Sequence, residues 1–137
     1  MTYRRKSAAL LIALALGGCA VQPEVPDLKP AVSTTGEESD RQASARIHTE
    51  LAAGYFELGN MGVALEEVGI ALRADPNFSR AHIVAGLVYA RLKEDRLAQQ
   101  SFERALRINP GDSEANHSYG LFLCQRNREE EGIKYIL

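Results

Sequence analysis

Apolar residues recur every three or four positions along most of this chain, which is the spacing of one face of an α-helix. Between residues 46 and 58 the apolar positions are Ile47, Leu51, Tyr55 and Leu58, and Gly59-Asn60 then interrupts the pattern. A second stripe runs from Val63 to Leu72 and stops before Asp75-Pro76, because the residue before a proline disfavours the helical conformation. The pattern therefore predicts two antiparallel helices closed by a proline turn.

The same pattern returns 34 residues later. The second copy runs from Ser79 to Leu92, turns at residues 93–95 and returns to Asn109-Pro110. Four pairs of identical residues keep the interval: Tyr55 and Tyr89, Ala64 and Ala98, Ala71 and Ala105, Pro76 and Pro110. A third copy begins at Ser113 and turns near Asn127. A repeat of this length predicts stacked helix pairs that share one continuous core.

Small residues occupy positions where two helices must approach closely, among them Ala52, Gly86 and Gly120. In its period, helix pairing and small-residue placement, the chain resembles the tetratricopeptide repeat family from Arg46 to its end. The resemblance implies an all-α solenoid with two full repeats and a truncated third, at about 45–78, 79–112 and 113–137. His48 and His82 stand where that family often has tryptophan.

The third copy is shorter than the other two. Its second helix has barely ten residues, with Gly132 and Ile136 in the slots of Ala98 and Phe102, and no closing proline follows. Because a solenoid needs a polar cap at its end, we expect the chain to be the front portion of a longer protein.

A processing signal precedes the repeats. Residues 1–18 contain the basic run Arg4-Arg5-Lys6, nine apolar residues at 8–16 and small residues before Cys19. The apolar run is too short for a permanent membrane span, which needs about 20 residues. Leu16-Gly17-Gly18-Cys19 resembles the bacterial lipobox, which implies that Cys19 is lipidated and becomes the first mature residue. Ala20 follows Cys19, in place of the aspartate that the resemblance links to retention in the inner membrane, so outer-membrane sorting is expected. The alternative is an ordinary signal peptide that happens to contain a cysteine.

Residues 19–43 are predicted to be a flexible linker, and the folded domain is predicted to span 44–137. The linker holds Pro23, Pro26 and Pro30, followed by a polar run without helical or alternating periodicity. At about 3.1 Å per residue, it could hold the repeats up to roughly 60 Å from the lipid.

The charge balance argues against nucleic acid or an anionic membrane surface as the main partner. The chain has 16 basic and 18 acidic residues, and removing the three basic residues of the leader leaves 13 against 18. Either partner would select a basic stripe, and here the positive charges are scattered along the sequence.

We find no sequence motif for catalysis, phosphate binding or metal binding, and we predict no enzyme activity, cofactor or metal. His48 and His82 lie one repeat apart, too far for two ligands of one metal, so we interpret both as packing residues. His117 lies on a different face and is a candidate contact residue. Cys124 is interpreted as a buried or half-buried small apolar residue, with a reactive thiol as the alternative.

The remaining candidate is a surface. In the family that this chain resembles, the first helix of each pair lines a concave face, which we call the groove. The predicted partner-binding residues in the groove are Phe56, Arg80, Ile83, Leu87, Arg91, His117 and Leu121. An apolar centre with an arginine rim is typical of a protein-binding site. The alternative is that Leu87 and Leu121 pack against neighbouring first helices.

A lipobox, a proline-rich spacer and tandem repeats together resemble the pilotin lipoproteins of type IV pilus biogenesis, and the segment 116–125 is similar to that family in particular. The resemblance implies an outer-membrane lipoprotein that binds the pilus secretin as a scaffold and supports its localisation and assembly. A lipoprotein adaptor for cell-wall enzymes or for outer-membrane protein assembly is the alternative. An enzyme would require a further domain after Leu137.

Overall fold

The computed structural model of the protein describes residues 40–137. In that range the chain forms six α-helices and no strands: α1 (Asp40–Glu57), α2 (Met61–Ala74), α3 (Ser79–Arg91), α4 (Asp95–Ile108), α5 (Ser113–Cys124) and α6 (Glu129–Ile136). The helices pack as three consecutive pairs, and the first helices of successive pairs also lie side by side, α1 against α3 and α3 against α5. The predicted all-α repeat solenoid is confirmed for this part of the chain.

The helix ends lie where the turn residues predict them. Asp75 and Asn109, each followed by proline, have extended conformations with φ of −138° and −137°, so α2 and α4 end there. Asp112 begins α5 by accepting hydrogen bonds from the backbone N–H groups of Glu114 and Ala115, both at 3.0 Å. These two bonds satisfy donors that have no partner within the helix.

One turn is built identically in all three repeats. Gly59, Lys93 and Asn127 occupy the same slot at 34-residue intervals and all have positive φ, 78°, 64° and 58°. In each case the next residue donates its N–H to a carbonyl five residues earlier, as Asn60 does to Tyr55 at 2.8 Å. This is the hydrogen-bond pattern of a left-handed helix terminus, which favours glycine or asparagine.

Helix pairs approach closely through matched small and large residues. A Cβ atom on Gly86 would lie 2.7 Å from the Phe102 ring, and one on Gly120 would lie 2.5 Å from Ile136. Both pairs occupy the same two slots, one repeat apart. In the first repeat those slots hold Ala52 and Val68. Alanine is larger than glycine, and the valine opposite it is correspondingly smaller than phenylalanine or isoleucine. The predicted close-approach positions are therefore confirmed.

The core is divided into two clusters of buried residues. One lies between the second and third repeats, where the Phe102 ring centroid is 5.7 Å from those of Tyr119 and Phe122. The other lies between the first two repeats around Val68 and Val88. Tyr89 packs against both clusters, so the repeats share one continuous interior.

The first helix begins earlier than expected. It starts at Asp40, whereas the linker was predicted to extend to residue 43. The added turns carry no apolar stripe, and Ala45 is their nearest buried residue, so hydrophobic periodicity could not predict them. Asp40 supplies the negative charge that favours a helix N-terminus. The predicted leader, Cys19 and the linker as far as residue 39 lie outside the described residues.

Candidate functional site

Three of the seven predicted groove residues meet in one cavity. Phe56 at the end of α1, and Leu87 and Arg91 on the last turns of α3, line a cavity of about 270 Å³. Its other lining residues are Ala90, Lys93, Gln125 and Arg126. We call this site the basic cavity, because three of its side chains are cations. It lies where the C-terminal ends of the three first helices come together.

The cations of the basic cavity are held in two different ways. The Arg91 guanidinium lies over the Phe56 ring, with its Cζ atom 5.2 Å from the ring centroid. Arg126 stacks on Phe122 at the same distance, and its Nη2 atom is 2.7 Å from Asp95 Oδ1 and 3.2 Å from the Ala90 carbonyl oxygen. The hydrogen bond from Arg126 lowers the pKa of the Asp95 carboxyl, so this pair is ionised.

The other four predicted groove residues lie outside this cavity. Ile83 is completely buried in the core, so its side chain supports the groove from beneath and offers no surface to a partner. Arg80 is exposed in the first turn of α3. Leu121 is 43% exposed on α5, and His117 lines a separate cavity of about 550 Å³ with Tyr135 and Ile136.

Repeat geometry explains the change of exposure along the groove. Thr49, Ile83 and His117 occupy one slot, and the first two are buried whereas His117 is exposed. A further first helix packs beside α1 and beside α3, but among the described residues no further first helix packs beside α5 on the side away from α3. The alternative that groove leucines pack between first helices holds in part for Leu87, which is half-buried against the core.

A second apolar surface lies on α1. Ile47, Leu51 and Leu58 are 48%, 44% and 80% exposed, and with Glu50, Gly54 and Tyr55 they line a cavity of about 450 Å³. We call Ile47, Leu51 and Tyr55 of α1, together with Leu58 just after its end, the α1 stripe. The sequence pattern suggests that this stripe is a packing face, but only Tyr55 packs against the core; Ile47, Leu51 and Leu58 are exposed, and the buried residues of α1 are Ala45, Thr49 and Ala52.

The sequence itself indicates that α1 differs from α3 at these positions. The α3 residues in the slots of Ile47 and Leu51 are Ala81 and Ala85, both buried against the preceding repeat. Alanine at these slots permits close stacking, whereas within residues 40–137 no helix packs over Ile47 and Leu51. A comparison of residue sizes between repeats would have singled out Ile47 and Leu51.

The histidines and the cysteine have ordinary structural environments. His48 Nδ1 lies 2.6 Å from Glu67 Oε2, and His82 Nε2 lies 3.0 Å from the Pro76 carbonyl oxygen. Both rings are half-buried, and burial is the main cause that lowers the pKa of His82. Cys124 is a free, half-buried thiol beside Gly132. Within residues 40–137, no three His, Cys, Asp or Glu side chains are grouped to hold a metal ion.

The six helices are all too short or too polar to cross a lipid bilayer, as judged over the described part of the chain.

The chain matches proteins of type IV pilus biogenesis, although no protein-family model matches it. It is 28% identical over 133 residues to the type IV pilus assembly protein PilF of Pseudomonas aeruginosa, a match that covers 97% of this chain and 50% of PilF. The solved structure of that PilF superposes with a TM-score of 0.68 and 27% identity, over 69% of this chain and 43% of PilF.

Two further solved structures have the same fold. PilW, described as a widely conserved type IV pilus biogenesis factor, gives a TM-score of 0.64 at 38% identity, over 66% of this chain and 42% of PilW. MamA gives a TM-score of 0.59 at 25% identity, over 67% of this chain and 54% of MamA. The chain spans about half the length of the curated relatives it matches.

These findings define the class of this protein. Its six described helices form a tetratricopeptide-like helical array, the fold of its structural neighbours. The chain is homologous to the type IV pilus proteins PilF and PilW.

Proposed function

We propose that this protein is a lipoprotein of the outer membrane that binds the type IV pilus secretin as a scaffold and supports its localisation and assembly. The homology to PilF and PilW supports the link to pilus biogenesis. The fold supports a binding role, because stacked helix pairs present an extended surface to another protein.

In this proposal three parts of the chain have separate roles, which are anchoring, reach and recognition. Lipid on Cys19 fixes the protein to the periplasmic face of the outer membrane, since several acyl chains together hold a protein almost permanently. Residues 20–39 give reach, because a proline-rich segment acts as an extended spacer. The repeats then recognise the secretin at a distance from the lipid.

We choose the basic cavity as the partner-binding surface because of its composition. An apolar floor of Phe56 and Leu87 beneath Arg91 has the composition of an interface centre, where aromatic residues and arginine are enriched. The α1 stripe is the competing surface, because its exposed apolar residues are contiguous along one helix face. The two surfaces hold different residues and can be tested separately.

Anchoring is tested by Cys19→Ser in cells that make pili. We expect the variant to leave the outer-membrane fraction and the secretin to be depleted from that fraction, while the helix content of the repeats is unchanged. Cys124→Ser is the matched control and should affect neither. Retention of the Cys19→Ser protein in membranes after a high-salt wash would contradict the lipid anchor.

A further inference from the structure

Lys93 is an unusual residue for its place in the fold. Its φ of 64° lies in the left-handed region, and the equivalent residues of the other repeats are Gly59 and Asn127. Those two are the residue types that this turn favours, because glycine has no Cβ atom to crowd the following carbonyl and the short polar side chain of asparagine can form local hydrogen bonds. The turn alone therefore does not explain a lysine. A residue with a strained backbone conformation is a reason to look for a function.

The side chain of Lys93 lines the basic cavity together with Arg91 and Arg126. Arg126 is already paired with Asp95 at 2.7 Å. No carboxylate of the described residues lies within 4.0 Å of the charged groups of Arg91 or Lys93. Among the described residues, Arg91 and Lys93 therefore form no ion pair within 4.0 Å; the nearby Asp95 carboxylate acts on Lys93 at longer range and is itself paired with Arg126.

Arg91 and Lys93 have no cationic counterparts in the other two repeats. The slot of Arg91 holds Glu57 in the first repeat and Gln125 in the third. A cation in the last turn of a helix complements the helix dipole, which accounts for Arg91 in part. The dipole also favours a cation at Lys93, two residues past the end of α3, but it does not explain why Arg126 of the next repeat lines the same cavity.

The floor of the cavity defines the other half of the ligand. Phe56 and Leu87 are half-buried apolar side chains, and Arg91 is held over the Phe56 ring. A ligand that fits both features carries a negative charge beside an apolar group. A protein segment supplies that combination when an aspartate or glutamate is next to a leucine-like residue.

We propose that the basic cavity is a recognition site for an acidic side chain of a protein partner, with Lys93 and Arg91 binding the carboxylate while Phe56 and Leu87 contact the adjacent apolar side chain. The identity of that partner rests on the function proposed above. The chemistry of the site rests on the cavity alone, so the two can be tested apart.

The probe is N-acetyl-leucyl-glutamyl amide, compared with its glutaminyl analogue, in an NMR titration of the repeat-containing protein. Blocked ends leave the glutamate side chain as the only charge. We expect saturable shifts of the backbone amides of residues 91–93 and 125–126 with the glutamyl probe. The glutaminyl probe should bind at least three-fold more weakly, since an exposed charge pair is worth about that factor. Equal binding of the two probes, or no saturable shift at the cavity, would overturn the proposal.

Lys93→Gly separates binding from folding. It should weaken the glutamyl probe about three-fold and raise the melting temperature, because glycine relieves the left-handed strain. Asn127→Gly is the matched control at the equivalent turn and should leave probe binding unchanged. If Lys93→Gly binds the probe as well as the parent does, the assignment of Lys93 is wrong.

The secretin distinguishes the two proposals. If the parent captures purified secretin and Lys93→Gly captures it equally well, the proposed function stands and this inference falls. If the glutamyl probe binds but the secretin does not, the carboxylate site stands and the secretin is the wrong partner.

Discussion

The contact between Gly86 and Phe102 offers a test of how the repeats are packed. A Cβ atom added to Gly86 would meet three atoms of the Phe102 ring at 2.7–2.8 Å, well inside the usual contact distance. The ring cannot move aside easily, because it is fully buried and lies against Tyr119 and Phe122. We therefore expect Gly86→Ala to destabilise the protein, although alanine is the better helix former.

Two opposing effects set the magnitude. Overpacking a filled core costs about 1–3 kcal/mol, and replacing glycine by alanine in a helix gains about 1 kcal/mol. The expected net loss for Gly86→Ala is about 0–2 kcal/mol, towards the upper end because the Phe102 ring is held on both sides. Gly54 is the matched control, because it also lies inside a first helix and a Cβ atom there would meet nothing within 4 Å. Gly54→Ala should stabilise the protein by about 0.5–1 kcal/mol.

The first repeat supplies a rescue. Its equivalent slots hold Ala52 and Val68, so Gly86→Ala with Phe102→Val copies an existing pair into the second repeat. Phe102→Val alone should cost about 2–4 kcal/mol through the space it leaves. The double variant should lose at least about 1 kcal/mol less than the sum of the two single losses. The assay is urea unfolding monitored by circular dichroism. If the two single losses in unfolding free energy add up to the loss of the double variant within about 0.5 kcal/mol, the complementary packing is refuted.

Two further predictions concern stability. Burial lowers the pKa of His82, so the unfolded chain binds a proton more readily and stability falls as the pH drops below 6.5. His82→Gln should reduce the difference in urea midpoint between pH 7.5 and 5.5, and an unchanged difference would exclude this histidine as its source. Asp112→Ala removes two hydrogen bonds at the start of α5 and should cost about 1 kcal/mol in free energy of unfolding. Glu94→Ala, at the start of α4 where no side chain caps the helix, should cost much less, and equal losses would contradict the capping role.

The sequence was sufficient to predict the repeats, because their determinants are local. Asp75-Pro76 and Asn109-Pro110 end helices through the geometry of proline alone. Gly86 and Gly120 mark close approaches because only a missing side chain permits them. Such features depend on few neighbours, so spacing along the chain identifies them.

Exposure could not be predicted in the same way, because it depends on how helices cross. Ile83 and Leu87 lie one turn apart on the same helix, yet Ile83 is buried and Leu87 lines the basic cavity. Lys93 and Arg126 were missed as cavity residues because they lie beyond the ends of first helices. His48 pairs with Glu67, 19 residues away, and Arg126 pairs with Asp95 on another repeat. Periodicity along the sequence does not show such tertiary pairs.

The most direct test of the account is the affinity of the soluble mature protein for purified type IV pilus secretin, measured for the parent and three variants. The groove variant is Leu87→Ala with Arg91→Glu, the α1-stripe variant is Leu51→Ser with Leu58→Ser, and the control on exposed second-helix residues is Glu66→Ala with Arg96→Ala. Loss of an apolar anchor and its arginine at an interface centre typically weakens binding by 2 kcal/mol or more, or about 30-fold. The account predicts that loss for the groove variant alone, with the helical circular dichroism of the parent retained. Parent-like affinity of a folded groove variant, or no measurable binding by the parent, would contradict it.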